Sequence, residues 1–439
     1  ALFLSDGADR YRQVQGPWID HKDREDQGAL FLDADQDGDQ DLLVLSGGYE
    51  SDRLEIHFQP RLYSNRGMGR FDHAPGALPV LMTSAQRAAA GDVDGDGDLD
   101  LFIGGRVIPG AYPRDPRSYL LVNDGTGRFS DATAERASHL AEAGMLTDAL
   151  WMDIDGDGDA DLITAGEWQP IAMHRNDGGR LVAHTVDGLR HTAGWWNRIV
   201  AADPDLDGDQ DLVCGNIGWN TKFHATADHP LHLYANDMDD NGSLDIVLAK
   251  EGTNGKVPVR GRECSSQQCR MIIDRFPTFK DFAHADLERI YTPEKIGSAQ
   301  HLVAEQMRSC VVWNEGGGRF RVEPLAMHAQ TGPLHGIAVR DVNADGHADI
   351  IAAGNHWGAE VETIRYDGGT GIVLLGDGQG GFRPRSVRES GLFAWRNAKD
   401  LVVLEQGAGR APWVVVSNNN DALEVFTPGH ARSAWAARR

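Results

Sequence analysis

The chain has 439 residues, 41% of them hydrophobic and only 8% aromatic, with 52 glycines and a formal charge of −24 at pH 7. No basic tract offsets that charge, which argues against a nucleic-acid partner, and no apolar run is long enough to cross a membrane. The length suits one to three ordinary domains, or a single domain if the chain is built of repeats.

Residues 1–20 open with LFLSDGADRYRQV, a short strand, a polar Gly turn and a second strand. Six acidic nonapeptides then begin at Asp33, Asp92, Asp153, Asp203, Asp237 and Asp341. The best formed, Asp92–Asp100, reads DVDGDGDLD, with oxygen ligands at positions 1, 3, 5 and 9 and Gly at position 6. Alternate carboxylates converge on a hard cation, the Gly permits the tight turn, and a backbone carbonyl near position 7 can join them. The predicted ligands are Asp33, Asp35, Asp37 and Asp41; Asp92, Asp94, Asp96 and Asp100; Asp153, Asp155, Asp157 and Asp161; Asp203, Asp205, Asp207 and Asp211; Asp237, Asp239, Asn241 and Asp245; and Asp341, Asn343, Asp345 and Asp349. Position 12 holds Val44, Ile103, Thr164, Cys214, Leu248 or Ala352, so the bidentate Glu of an EF-hand is missing. A large, anionic, protein-supplied ligand set favours Ca2+ over Mg2+. Up to six structural calcium ions are expected, held more weakly where Asn241 and Asn343 replace a carboxylate.

Each nonapeptide runs into an apolar strand, such as DLLVL or DLFIG, and most units add a hairpin signal. These signals are LYSNRGMGRFDHA (62–74), LLVNDGTGRFSDA (120–132), MHRNDGGRLVAHT (173–185), VVWNEGGGRFRVE (311–323) and VLLGDGQGGFRPR (373–385). A unit is therefore strand A, acidic loop, strand B, variable loop, strand C, Gly turn and strand D, the four antiparallel strands of one propeller blade. The 34 residues between Asp203 and Asp237 are too few for a blade, and the 104 between Asp237 and Asp341 too many. Leu231–Ala235 and Leu244–Ala249 are expected to close the blade begun at Ile199, with an extra acidic loop between its outer strands. Residues 255–300 read as a partly helical insertion, and a blade without an acidic loop is expected around 300–323. The last unit, Ala394–Phe426, has three strands, and the N-terminal segment can supply its fourth. The expectation is an all-β, single-domain propeller over residues 1–439, with seven blades or, alternatively, eight.

Units of the form strand–DxDxDGxxD–strand–xNDGxGxF resemble the FG-GAP/VCBS repeats of integrin alpha-subunit propellers and many secreted bacterial proteins. The similarity covers nearly the whole chain except about 255–300, and GEWxP (166–170), GWWN (194–197) and GNxGxN (215–220) resemble the bacterial subset. The resemblance implies a calcium-braced propeller. It leaves the ligand open, because its members include adhesion heads, carbohydrate binders and some polysaccharide lyases.

If every acidic turn lies on one face, the ends of the B strands and the starts of the A strands ring the channel mouth on the other. The B ends supply Tyr49, Arg106, Trp168, Asn216, Trp219, Asn220, Asn355, Trp357 and Asn419, and the A starts supply Arg87, Trp196, Asn197, Arg396 and Asn397. Rings for stacking and amide or guanidinium donors suit a glycan, a peptide or another polar ligand, with a protein as a further possible partner. Asp148, Glu167, Arg198, His301, His335 and His356 fall on the same mouth and are the candidate catalytic groups if the protein is instead a lyase or hydrolase. No HExxH or GxSxG motif supports a specific chemistry, and a purely structural module is the third reading. Cys264 and Cys269 can close a small disulfide or stay reduced, while Cys214 and Cys310 read as buried thiols. Calcium sites of this kind favour a secreted, periplasmic or cell-surface protein.

Overall fold

A computed structural model describes residues 2–5, 10–49, 55–253, 255–359, 363–406, 410 and 412–427. The chain is mostly β-strand. After a hairpin of β1 (Leu2–Ser5) and β2 (Tyr11–Val14), the first sheet holds β3 (Asp26–Leu32), β4 (Asp41–Ser46), β5 (Arg61–Asn65) and β6 (Phe71–His73) in that order. The second holds β7 (Ser84–Gly91), β8 (Asp100–Val107), β9 (Tyr119–Asn123) and β10 (Phe129–Asp131). The third holds β11 (Met145–Met152), β12 (Asp161–Gln169), β13 (Ala172–Asn176) and β14 (Leu181–His184), with the short β15 (Gly194–Trp195) added to β12.

The fourth sheet begins with β16 (Arg198–Ala202) and β17 (Asp211–Gly215), and here the structure departs from the sequence-based expectation. Strands β18 (Leu231–Asn236), β19 (Asp245–Gly252) and β20 (Gly255–Pro258), a run of short helices from Arg262 to Gly297, and β21 (Gln300–Ala304) form a separate insertion with strand order β20-β19-β18-β21. The fourth sheet is completed by β22 (Cys310–Asn314) and β23 (Phe320–Pro324). Leu231–Ala235 and Leu244–Ala249 therefore do not close the blade begun at Ile199, and residues 300–323 make no blade of their own. The helical part matches the expected segment, but the whole insertion spans the interval between Gly215 and Cys310. Sheet five is β24 (Gly336–Arg340), β25 (Asp349–Ala353), β26 (Ile372–Gly376) and β27 (Phe382–Arg385), and sheet six is β28 (Ala398–Leu404), β29 (Trp413–Asn418) and β30 (Glu424–Phe426).

The first strands of the six sheets touch in succession, β3 to β7, β11, β16, β24 and β28. Successive sheets share cores: Leu43, Leu45, Leu101 and Ile103 between the first two, Phe102, Leu120, Leu146 and Leu162 between the next two. The same pattern continues with Ile163, Leu212 and Val312, Val213, Ile350 and Leu374, and Ile351, Leu401 and Val416. The B strands β4, β8, β12, β17 and β25 are thus covered on both faces, which is why they read as unbroken apolar runs, whereas β29 of the last sheet alternates in burial. Among the described residues, β1 and β2 pair only with each other. Leu2 packs with Trp18 against sheet one, and Tyr11 meets Trp413 of sheet six with the rings tilted and their centroids 5.6 Å apart.

Two side-chain devices tie the sheets together. The Asp at position 9 is the first residue of each B strand and is buried in all six repeats. Asp100 accepts from the loop amide of Val93 and the strand-C amide of Asn123, both at 2.8 Å; Asp161 does the same with Ile154 (2.8 Å) and Asn176 (2.6 Å). The Asn of the hairpin signal then reaches back one sheet: Asn123 Nδ2 donates to Ala34 O (2.8 Å), and Asn176 Nδ2 to Val93 O (2.8 Å). Replacing Asn123 by Ala strands the buried Ala34 carbonyl, and a thermal or urea melt is expected to show a loss of about 1–3 kcal/mol.

Candidate functional site

Two regions carry unusual chemistry, the acidic turns and a cavity at the other end of the strand pairs. In each turn the position-1 carboxylate accepts from the position-6 glycine amide, at 3.0 Å for Asp33, Asp92 and Asp153, 3.2 Å for Asp203 and 2.8 Å for Asp237 and Asp341. Those six glycines have φ between 85° and 99°, a backbone region that a side chain would strain. Five carboxylate groups gather with ligand atoms within 4.8 Å of one another and could hold a metal ion: Asp33, Asp35 and Asp37; Asp92, Asp94 and Asp96; Asp153, Asp155 and Asp161; Asp203, Asp205 and Asp211; Asp237, Asp239 and Asp245.

The donor set fits a divalent cation on a further ground. Asp33 Oδ1, Asp35 Oδ1, Asp94 Oδ1, Asp203 Oδ1, Asp205 Oδ1 and Asp239 Oδ1 are buried acceptors with no protein donor. Burial, followed by neighbouring carboxylates, pushes Asp100 and Asp349 up to about 6 and Asp211 to about 7, and a bound cation would relieve that repulsion. The loop at Asp341 is not among the five clusters; there Asn343 Nδ2 donates to Asp345 Oδ2 at 2.8 Å.

The second region is a two-lobed cavity of 1260 and 920 Å³ whose lobes share Gln27, Gln86, Arg106, Glu167, Trp195, His356, Tyr366 and Asn419. Most of these residues lie at strand ends remote from the acidic turns, as the antiparallel A–B pairing requires. The insertion forms a wall through Leu233, Leu244, Ile246 and Leu248, and its own acidic turn borders the cavity at Ser243 and Asp245. The expectation that all acidic turns share one face therefore fails for the fifth, at Asp237, because its sheet is inserted rather than stacked in succession.

At the junction of the lobes, Arg106 Nη2 meets Glu167 Oε2 at 2.5 Å, Tyr112 Oη donates to Glu167 Oε1 at 2.6 Å, and Trp168 Nε1 donates to Tyr112 Oη at 2.7 Å. Burial and the adjacent Glu167 raise the Tyr112 phenol well above its usual range. Trp168 holds φ +63° at an irregularity in the β12–β15 pairing, between Glu167 and Gln169. A bulky residue in the left-handed region is strained, and such strain concentrates at binding and catalytic sites.

Across the cavity, Lys399 Nζ donates to Asn355 O (2.9 Å) and lies 3.3 Å from His356 Nδ1 and 3.5 Å from His335 Nε2. Burial lowers Lys399 to about 8. Burial, then the Lys399 charge, lowers His356 to about 4 and His335 well below the usual imidazole range. Arg87 pairs with Asp400 at 2.9 Å.

Of the predicted residues, Tyr49, Arg87, Arg106, Glu167, Trp168, Trp196, Asn197, His335, His356 and Asn419 line the cavity. Trp196 nevertheless has its ring in the core and its indole bonded to Thr192 O at 2.8 Å, so it packs rather than presents a face. Asn216 and Asn355 are fully buried and spent on backbone: Asn216 Nδ2 donates to Gln306 O, and Asn355 Nδ2 to Gly369 O and Arg396 O. Asp148 accepts from Ile199 N (2.9 Å) and pairs with Arg198 (3.3 Å), fastening sheet three to sheet four. Arg396 pairs with Asp421 and Glu424, and Asn397 Oδ1 accepts from Trp357 N at 3.4 Å. Trp219 and Trp357 lie under Arg308 and Arg365, and Asn220 Nδ2 donates to Thr331 O. None of these line the cavity.

His301 is not at the mouth either. It sits on β21 of the insertion, 3.0 Å from His232 and stacked on Tyr234 at 4.3 Å, because its strand starts no blade. Cys264 and Cys269 are not bridged to each other, so the small disulfide is not formed. Sequence reasoning missed Tyr112, Lys399 and Asp400. Tyr112 comes from the variable loop after β8, which carries no periodic signal. A register shift between Ala398 and Asp400 displaces the cavity-facing residues of β28 beyond the predicted Arg396 and Asn397.

A model of FG-GAP-like repeats matches residues 33–103 and 153–214. No curated protein matches. Among solved structures, the chain is similar to an Agrocybe aegerita lectin that recognises non-reducing terminal N-acetylglucosamine, at 16% identity over 94% of this chain and 83% of that one, with a TM-score of 0.40. It is also similar to a Bacillus licheniformis rhamnogalacturonan lyase (14% identity, 92% and 71% covered, TM-score 0.33) and to an ulvan lyase (11% identity, 92% and 94% covered, TM-score 0.31).

Proposed function

We propose that the chain is a single, exported, calcium-braced propeller that binds a glycan or similarly polar ligand in the two-lobed cavity. The succession of six sheets supports a closed ring, with the β1–β2 hairpin as a reduced seventh member, since Tyr11 meets sheet six while Leu2 meets sheet one. The converging Asp clusters and their unsatisfied buried oxygens support structural calcium. Binding is preferred over catalysis because the acids at the centre are already matched, Glu167 by Arg106 and Asp400 by Arg87. The observation that carries the reading is the Arg106–Glu167–Tyr112–Trp168 network, pre-organised on a strained backbone beside the lining ring of Trp195.

Isothermal titration against an oligosaccharide panel tests this. Arg106→Ala is expected to weaken whichever member binds by at least about tenfold, roughly 1.4 kcal/mol; unchanged affinity would place the ligand elsewhere. A second reading, an enzyme acting on the same ligand, is favoured by one feature: the His356 imidazole and Lys399 amine have lowered proton affinities and share the 920 Å³ lobe with Glu167. Cleavage of a bound oligosaccharide, abolished by His356→Gln with binding retained, would select it.

A further inference from the structure

The unused hydrogen-bonding capacity of the 920 Å³ lobe is one-sided. Arg87 Nε, Trp195 Nε1 and Asn197 Nδ2 line it, are buried, and find no protein acceptor; all three are donors. Its charge pairing leaves one cation over. The three acids on its wall are matched, Asp26 by Arg61, Glu167 by Arg106 and Asp400 by Arg87. Arg61 stands behind the wall rather than on it, which leaves Lys399 as the lining cation without a carboxylate: among the described residues its ammonium group meets a carbonyl and two imidazoles. Three idle donors and one unmatched ammonium ask for oxygen acceptors and a negative charge. In a chain of formal charge −24, a buried ammonium group left without a carboxylate is a departure from the surrounding field, which would otherwise repel an anion.

We propose that the ligand of this cavity is an acidic glycan, whose anionic group lies against Lys399 and accepts from Arg87 Nε, Trp195 Nε1 or Asn197 Nδ2. This rests on the reading of the cavity as a glycan site and adds the chemical class. A neutral sugar can occupy the donors with hydroxyl oxygens but leaves the Lys399 charge uncompensated in a partly desolvated wall, whereas a carboxylate or sulfate ester satisfies both. The two anionic groups share this chemistry, and matched probes separate them.

The test uses the full chain with calcium present and oligosaccharide pairs that differ only at the charged group: oligouronates with their carboxyl-reduced counterparts, and sulfated oligosaccharides with their desulfated ones. Titration calorimetry is expected to find one acidic member bound about ten- to a hundredfold tighter than its neutral partner. Lys399→Met should bring the ratio of affinities within that pair close to one, with a thermal melt confirming the fold. Should the variant not fold, salt dependence in the unmodified chain serves instead, since acidic binding should weaken with ionic strength and neutral binding should not. Equal affinity within every pair would overturn the acidic class and leave the glycan reading standing; binding by no member would overturn both.

Discussion

Chelation of divalent cations is expected to lower the melting temperature by about 10–15 °C, and added calcium to restore it. Five clusters of converging carboxylates can each hold an ion. A ligand at a hundredfold excess over its dissociation constant stabilises by about 2.7 kcal/mol. Five such sites contribute about 13 kcal/mol, and a chain of this length unfolds with about 0.9 kcal/mol per degree. Differential scanning calorimetry with and without EDTA measures the shift, and an unchanged midpoint would remove the structural role of the ions. The pH dependence has a definite sign. In the ion-free chain Asp100 and Asp349 titrate near 6 and Asp211 near 7, above their unfolded values. Their proton-bound forms therefore contribute stability at low pH that is lost as pH rises through 6–7. At Asp100 and Asp211, whose turns hold such clusters, ions compete with those same protons, so the gap between loaded and chelated protein should be widest near pH 7.5 and narrow towards pH 5.

Asp100→Ala is expected to cost about 4 kcal/mol, more than removal of any exposed loop acid. The side chain is fully buried and accepts from Val93 N and Asn123 N. Its truncation leaves two backbone donors without partners, each costing about 1–3 kcal/mol, and frees the end of strand C from the turn. Asp96→Ala removes a ligand at the rim of the same turn and leaves that brace in place, so most of its effect should vanish once EDTA is present. The effect of Asp100→Ala should persist in EDTA. Equal loss of both effects on chelation would mean that position 9 acts only through the ion.

What the sequence made legible was local. The acidic turns are readable because their contacts close within nine residues, and burial on both faces explains the continuous apolar runs of β4, β8, β12, β17 and β25. The insertion was misread because Cys214 and Cys310 are strand partners 96 positions apart, and no periodicity announces a pairing at that separation. Leu231–Ala235 and Gln300–Ala304 have the same apolar texture as blade strands and differ only in what they pair with. The cavity was half legible. Arg106, Glu167 and His356 follow from the rule that B strands end opposite their turns. Lys399 escaped it through a shifted register, and Tyr112 by arriving on an irregular loop. Asn216 and Asn355 show the converse: polar residues at strand ends also serve the backbone, and only the fold tells which do.

The most direct test is a crystal structure of the calcium-loaded chain soaked with the tightest oligosaccharide of the panel. The account predicts density between the Arg106–Glu167 pair, the Trp195 ring and Lys399, with ions in the acidic turns. Ligand density only at the acidic turns or along the outer strands, with the cavity empty, would contradict it.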